Sequence, residues 1–412
     1  MTLPRLAILL LRGLEGCGVT SYARHLQAYF KSQESDCDIF VLTGTKKVGR
    51  PDTSRDIVYT GFAFEESEEI VESLNANYDL VMVFSVPAKK AGDEVAEQYV
   101  ARILEPITVR KAFINHDHSV NSISRNADYI AALRACDVTL AHSLAPARRG
   151  FINWLERKEV TDITVDKLDT FFHVPLVEDL ISLSKDGRSK KIIAAGRHAV
   201  WKRTWLTWML HEYARDRGFI TETIGVVRDI SGYEYILAFK DRFNFHPATA
   251  DNAKKTAAVF EEWDKNPDPM TFYWAGSYEY YVGLDRISKS AFATQHRSFE
   301  HNGLDYGSNM EYQTMEAALL SIGVLHRHFL DTAIVPGTTT LLRDTGAFVS
   351  IDDDNIPTRF GYGLVEPEKL IEELDDIWNN RYAEMRQKSV SLIREFYSTE
   401  ALVPLMIERC LG

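Results

Sequence analysis

Residues 6–20 read LAILLLRGLEGCGVT. The apolar run Leu6–Leu11 breaks at Arg12 into a loop carrying Gly13, Gly16 and Gly18, and a helical pattern follows over Tyr22–Phe30. Strand, glycine loop and helix in that order open a Rossmann-type unit, where the free amides at the helix start face an anion. The Walker pattern G-x-x-x-x-G-K-[ST] falls on Gly13, Gly18 and Thr20, but Val19 stands at the lysine position. That lysine is the point charge that reaches the β- and γ-phosphates. The loop therefore keeps a backbone cradle and lacks its cation, and a bound diphosphate must draw positive charge from elsewhere in the chain.

Outward from this loop, strand-like runs alternate with helical segments, the pattern of doubly wound α/β structure. The first half offers strands at Leu6–Leu11, Ile39–Leu42, Leu80–Phe84, Lys111–Asn115 and Val138–Ala141, with helices over Glu65–Leu74 and Asp93–Leu104. Ser184–Lys191, reading SKDGRSKK, is a polar linker, and the pattern restarts beyond it at Ile192–Ala195, Thr223–Val227, Thr271–Trp274, Ala291–Thr294, Gly323–His326 and Ala347–Ser350. A chain of 412 residues accommodates two such domains, each with an ample core. The expected boundaries are a first Rossmann-like domain over 1–183, a second over 192–395, and a terminal segment over 396–412. Pro367–Gly412 reads as two or three helices with breaks near Ser398-Thr399 and at Pro404.

Composition narrows the class. No apolar run approaches the roughly 18 residues of a membrane span, and the N-terminus lacks the features of a secretory leader. Four cysteines (Cys17, Cys37, Cys136, Cys410) show no C-x-x-C spacing and read as reduced intracellular thiols. A net charge of −12 argues against coating nucleic acid by bulk electrostatics, while leaving room for a local basic groove.

Ligands of doubly wound sheets bind outside the carboxyl ends of the strands, so the residues just past each strand carry the most weight. Asn115 is followed by His116, Asp117, His118 and Ser119; Ala195 by Gly196, Arg197 and, further on, Trp201 and Lys202. Ionisable residues after a buried strand are costly without a purpose, so His116 and Asp117, with His118 beside them, are the strongest catalytic candidates. The H-x-H of 116–118 is also a metal-ligand spacing, without a third ligand nearby in sequence. His326 and His328 repeat it on a later strand, where alternation places both on one face and packing accounts for them. Arg197 and Lys202 are either solvated surface charges or the fixed cations that a departing diphosphate needs. Glu316 lies in a helix with Met315, Leu319 and Leu320 on its apolar side, as a buried or cleft carboxylate; Glu311 is either an exposed helix carboxylate or part of a site.

Taken together, RGLEGCGVT (12–20), HDHSV (116–120) with Arg125-Asn126, the GR…WK of 196–202, RISKSAF (286–292) and EYxxxE (311–316) resemble the DNA α-glucosyltransferases of T-even bacteriophages, in the same order along the chain. The resemblance implies a retaining glycosyltransferase of GT-B architecture, α/β with two Rossmann-like domains facing across a cleft, whose final helix crosses back to the first domain. It implies transfer of a sugar from a UDP-sugar to the hydroxymethyl group of 5-hydroxymethylcytosine in double-stranded DNA. The sugar is glucose by resemblance, with arabinose as the alternative.

By the same resemblance the donor contacts Gly16, Gly18, Val19, Arg197, Lys202, Glu311 and Glu316, with Glu316 on the ribose hydroxyls. A second glutamate that many GT-B enzymes carry eight positions earlier is Ser308 here. Glu15, His118, Arg125, Arg148 and Arg149 fall to the acceptor side, and a target base in duplex DNA must be extruded. No cofactor beyond the UDP-sugar and no metal is implied. The expected setting is a monomer, away from membranes, in the cytoplasm of the infected host. Two other classes compete: a degenerate P-loop nucleotidase, disfavoured by Val19, and a binding protein that has lost its chemistry, disfavoured by His116, Asp117, Arg197, Lys202 and Glu316.

Overall fold

The computed structural model describes residues 2–11, 18–42, 59–84, 98–115, 129–141, 155–156, 159–162, 169–170, 180, 188–196, 205–225, 244–248, 253–276, 280–295, 300–301, 304–305, 312–331, 333–334, 338–354 and 363–412. The chain divides into two compact units, one of Met1–Leu176, Gly303–Asn309 and Tyr397–Gly412, the other of Val177–Asn302 and Met310–Phe396.

The first unit holds a seven-stranded parallel sheet of β1 (Leu6–Leu11), β2 (Cys37–Leu42), β3 (Thr60–Phe62), β4 (Leu80–Val83), β5 (Arg110–Asn115), β6 (Val138–Ala141) and β7 (Asp169–Thr170), in the order β3-β2-β1-β4-β5-β6-β7. Leu6 pairs with Cys37 on one side and with Leu80 on the other. Apolar runs without alternation form these strands because both faces are covered. Leu6, Ala7 and Ile8 are fully buried, and the helices α1 (Gly18–Ser32), α2 (Ser67–Asn77) and α3 (Tyr129–Ala135) supply cover.

The second unit repeats the plan. Its sheet contains β8 (Ser189–Ala195), β9 (Ile220–Ile224), β10 (Asn244–Ala248), β11 (Thr271–Ala275), β12 (Ser290–Gln295), β13 (Ile322–His326) and β14 (Val349–Ile351), in the order β10-β11-β9-β8-β12-β13-β14, all parallel. Its helices are α4 (Trp205–Ala214), α5 (Ala253–Lys265), α6 (Tyr280–Ser288), α7 (Tyr312–Leu320), α8 (Pro367–Asp376) and α9 (Tyr382–Phe396). Helix α10 (Thr399–Leu411) belongs to the first unit.

Several expected boundaries are corrected. The last three residues of the polar linker are strand, since β8 begins at Ser189, where Lys190 and Lys191 find carboxylate partners in Asp375 and Glu222. Strand β9 ends at Ile224 rather than Val227, and β14 begins at Val349. Pro404 does not break the last helix: it lies inside α10, whose buried Leu402, Val403, Met406, Ile407 and Cys410 hold the helix together across one missing amide. Ser398 does mark the boundary, capping α10 by accepting from the Ala401 N–H at 3.1 Å. The two histidines of 326–328 do not share a strand face, because β13 ends at His326 and His328 sits in the helical turn Arg327–Leu330. The described thiols Cys37, Cys136 and Cys410 are free, and burial pushes those of Cys136 and Cys410 up to about 12, away from reactivity.

Candidate nucleotide-sugar site

In each sheet the strand order reverses once, between β1 and β4 in the first unit and between β8 and β12 in the second. Such a switch point leaves a crevice at the carboxyl edge. Strand β1 ends at Leu11, so the glycine loop leaves the sheet at its switch point. Strand β5, which delivers His116 and Asp117, ends at Asn115, two strands from β1 or about 10 Å across the sheet. Among the expected site residues, Glu15, Gly16, His116, Asp117, His118, Arg125, Arg148, Arg149, Arg197, Lys202 and Glu311 lie outside the described residues.

The helix that receives the loop is firmly seated. Gly18 and Val19 open α1, and Val19 is half-buried. Thr20, whose hydroxyl a Walker loop turns toward Mg²⁺, is 1% exposed. Tyr22 packs edge-on against Phe84 just past β4, with ring centroids 5.1 Å apart, and its hydroxyl donates to Met406 Sδ of α10 at 2.7 Å. Arg110 Nε, at the start of β5, donates to the Cys410 carbonyl at 2.9 Å. Helix α10 thus braces both the helix behind the glycine loop and the strand that leads to His116.

In the second unit, Gly196 follows β8 with φ +123°, a conformation that L side chains rarely adopt, and its N–H donates to the Ile224 carbonyl at 2.8 Å. The backbone turn therefore requires the glycine that precedes Arg197. Beside it, Thr207 in the first turns of α4 and Thr294 near the end of β12 bring their buried hydroxyls to 3.4 Å. Helix α7 precedes β13 and runs against the parallel strands, so its N-terminus stands at the carboxyl edge of the sheet. Its fifth residue, Glu316, is 5% exposed among Met315, Ala318, Leu319 and Leu320, which are fully buried. Helical side chains lean toward the helix N-terminus, which inclines this carboxylate toward the edge where ligands bind.

Two contributors escape the sequence pattern. Arg386 of α9 donates to the carbonyls of Ala318 and Leu319 at the end of α7; an arginine in an amphipathic helix reads as a solvated charge. Tyr22 reads as ordinary core, because its sulfur partner is 384 residues away.

No family model matches the chain. It is 27% identical over 180 residues to the DNA alpha-glucosyltransferase of Enterobacteria phage T4, an alignment that spans 42% of this chain and 42% of that protein, less than half of either. The solved α-glucosyltransferase in complex with UDP-glucose and DNA containing an abasic site superposes with a TM-score of 0.78 at 20% identity, covering 99% of this chain and 100% of that one. The chain shares the fold of this α-glucosyltransferase along its length. Its fold is GT-B, as the wider comparisons also show. An alpha,alpha-trehalose-phosphate synthase (UDP-forming) from Burkholderia xenovorans matches over 99% of this chain with a TM-score of 0.55 at 11% identity. Among the described residues no helix is long and apolar enough to cross a membrane.

Proposed function

We propose that this protein is a UDP-sugar-dependent DNA glycosyltransferase, moving glucose to the hydroxymethyl group of 5-hydroxymethylcytosine in double-stranded DNA with retention of configuration. The observation that carries the reading is the placement of its motifs: the glycine loop follows β1, HDHSV follows β5, the GR…WK segment follows β8, and EYxxxE opens α7. The carboxyl ends of β1 and β8, which the glycine loop and the GR…WK segment follow in sequence, lie at the switch points of their sheets, where doubly wound folds bind ligands.

In the reaction, the bond between the anomeric carbon and the diphosphate oxygen breaks as the acceptor hydroxyl oxygen bonds to that carbon. Arg197 and Lys202 neutralise the departing UDP, and amides around Gly16, Gly18 and Val19 approach the diphosphate and sugar. With two fixed cations in place, a divalent metal is not required for the donor. Glu316 accepts from the ribose hydroxyls, and Glu311 faces the donor from the same helix start. His116 holds donor-sugar hydroxyls; Asp117 orients the acceptor hydroxyl, whose proton passes to Asp117 or to the departing phosphate. Glu15, His118, Arg125, Arg148 and Arg149 meet the DNA, from which the target base is extruded. The enzyme works as a monomer in the cytoplasm of the infected host.

The test is incubation of the protein with 5-hydroxymethylcytosine DNA, a panel of UDP-sugars and EDTA, followed by mass spectrometry of the nucleosides. A hexose increment with UDP-glucose is expected. A pentose increment with UDP-arabinose alone reassigns the donor, and an unchanged mass with every donor, with or without added metal, overturns the transferase reading.

A further inference from the structure

The last turn of α7 is pinned at three successive carbonyls. The Ser321 N–H and hydroxyl donate to the Ala317 carbonyl at 2.8 and 3.0 Å. Arg386 Nη1 donates to the Ala318 carbonyl at 2.9 Å, and its Nη2 to the Leu319 carbonyl. Strand β13 begins at Ile322 with no loop to absorb displacement. One turn further along α9, the Ser389 hydroxyl donates to the Ala347 carbonyl, next to the Phe348 ring that covers Gly323. Helix α9 therefore grips both the end of α7 and the adjoining strand edge.

Arg386 is an expensive way to fill this position. It is 8% exposed, and among the described residues none of its partners is a carboxylate. The Arg188 guanidinium acts on it with like charge, and burial together with this neighbour lowers the Arg386 pKa to about 10. An apolar side chain of the same volume fills buried space without the desolvation of a charge. What an apolar side chain cannot do is hold two adjacent carbonyls in a planar fork.

We propose that Arg386 is a positioning residue for nucleotide binding: by clamping the last-turn carbonyls of α7 it fixes the height and rotation of that helix, and with them the Glu316 carboxylate that receives the ribose hydroxyls. The inference rests on the assignment of Glu316 made above. Along the helix axis Glu316 lies only about 3 Å from Ala318. A hydrogen-bonded carboxylate loses its partners over displacements smaller than that.

The experiment compares the dissociation constants of UDP and 2′,3′-dideoxy-UDP for the full-length protein by titration calorimetry. The wild type prefers UDP by on the order of tenfold or more, the contribution of hydroxyls bonded to a carboxylate, and Glu316→Gln abolishes most of that preference. Arg386→Met is expected to lose the preference on a similar scale while binding dideoxy-UDP within about twofold of wild type. The double variant is expected to be no worse than Glu316→Gln alone, since both changes remove the same contact. Arg386→Lys, which retains a cation without the fork, falls between, and carries the test if the methionine variant does not fold. A merely structural role lowers the melting temperature of these variants and leaves the UDP preference at its wild-type value, which would overturn the proposal. Losses that add in the double variant overturn it equally. If Glu316→Gln itself keeps the preference, the Glu316 assignment fails and the inference with it. If Glu316→Gln loses the preference and the Arg386 variants keep it, only the inference fails.

Discussion

Arg286 donates to both carboxylate oxygens of Glu222, through Nε at 2.5 Å and Nη2 at 2.7 Å. Its Nη1 reaches both oxygens of Asp264 at 2.6 Å, and Lys191 Nζ lies 3.1 Å from Glu222 and 3.6 Å from Asp264. Two cations and two carboxylates cancel, and the guanidinium also faces the Phe260 ring at 4.8 Å. Lys191, Glu222 and Arg286 are buried. The arginine that opens RISKSAF thus ties β8, β9, α5 and α6 into one body.

Removing it strands Glu222 without its main partner. Breaking one side of a buried ion pair costs about 3–5 kcal/mol, so Arg286→Met is expected to lower the melting transition of the second unit by roughly 6–20 °C. Arg286→Lys keeps the charge, loses the fork, and falls between. Differential scanning calorimetry decides it, and a variant melting within about 2 °C of wild type contradicts the account.

His211 is fully buried with its ring edge-on to Phe272 at 5.4 Å. Burial, then the nearby Arg215 charge, lower its pKa from the ordinary 6.5 to about 4. The unfolded chain therefore takes up this proton first as the pH falls. The stabilisation is complete above pH 6.5 and is lost on the way down to pH 4, by about 3 kcal/mol in all. Glu222 and Asp264, held below their ordinary values of 4.5 and 3.8 by Arg286 and Lys191 against their own burial, give up their share only below about pH 5. His211→Phe is expected to flatten the dependence between pH 6.5 and 5 in urea unfolding, and an unchanged slope there excludes His211 as its source.

Much of the architecture is legible because parallel strands buried on both faces leave continuous apolar runs: β1 and β6 run from Leu6 to Leu11 and from Val138 to Ala141, as their sequences read. Short edge strands such as β3 and β7 leave no such run, and Lys190 and Lys191 conceal the start of β8 because their charges are paired inside. The glycine loop, HDHSV and GR…WK stand out in the sequence because each directly follows a strand that reads clearly. Arg386 is invisible, since its partners are carbonyls 67 and 68 residues away and carbonyls have no sequence signature.

Gly323 illustrates a tertiary constraint that the sequence shows only as a letter. A Cβ built there meets Phe348 Cδ1 at 3.0 Å. Gly323→Ala is expected to destabilise the second unit by about 1–3 kcal/mol through overpacking, and Phe348→Leu in the same chain is expected to recover part of it. Additive losses in the pair, measured by chemical denaturation, would show that the two residues do not compete for space.

Helix α10 makes the first unit depend on the end of the chain. Ile407 is fully buried, in line with Val403 and Cys410 and beside Met406, the partner of Tyr22. Ile407→Ala is expected to cost about 2–5 kcal/mol. Because α10 braces α1, the variant is also expected to raise backbone hydrogen exchange over Gly18–Ser32, and unchanged exchange there would separate α10 from the glycine-loop helix.

The absent Walker lysine yields the sharpest test of where the charge lies. Val19 occupies the first turn of a helix whose next residues, Thr20 and Ser21, are buried. If Arg197 and Lys202 neutralise the leaving diphosphate, Arg197→Gln and Lys202→Gln each lower kcat/KM for transfer by on the order of 10²–10³, the loss seen when one preorganised donor is taken from a developing negative charge. A lysine placed at the loop then has no vacancy to fill: Val19→Lys neither rescues Arg197→Gln nor confers ATP hydrolysis above background. Release of UDP and of inorganic phosphate in parallel assays measures both. Recovery of transfer in the Val19→Lys/Arg197→Gln double variant would return the cation to the glycine loop and remove Arg197 from the diphosphate.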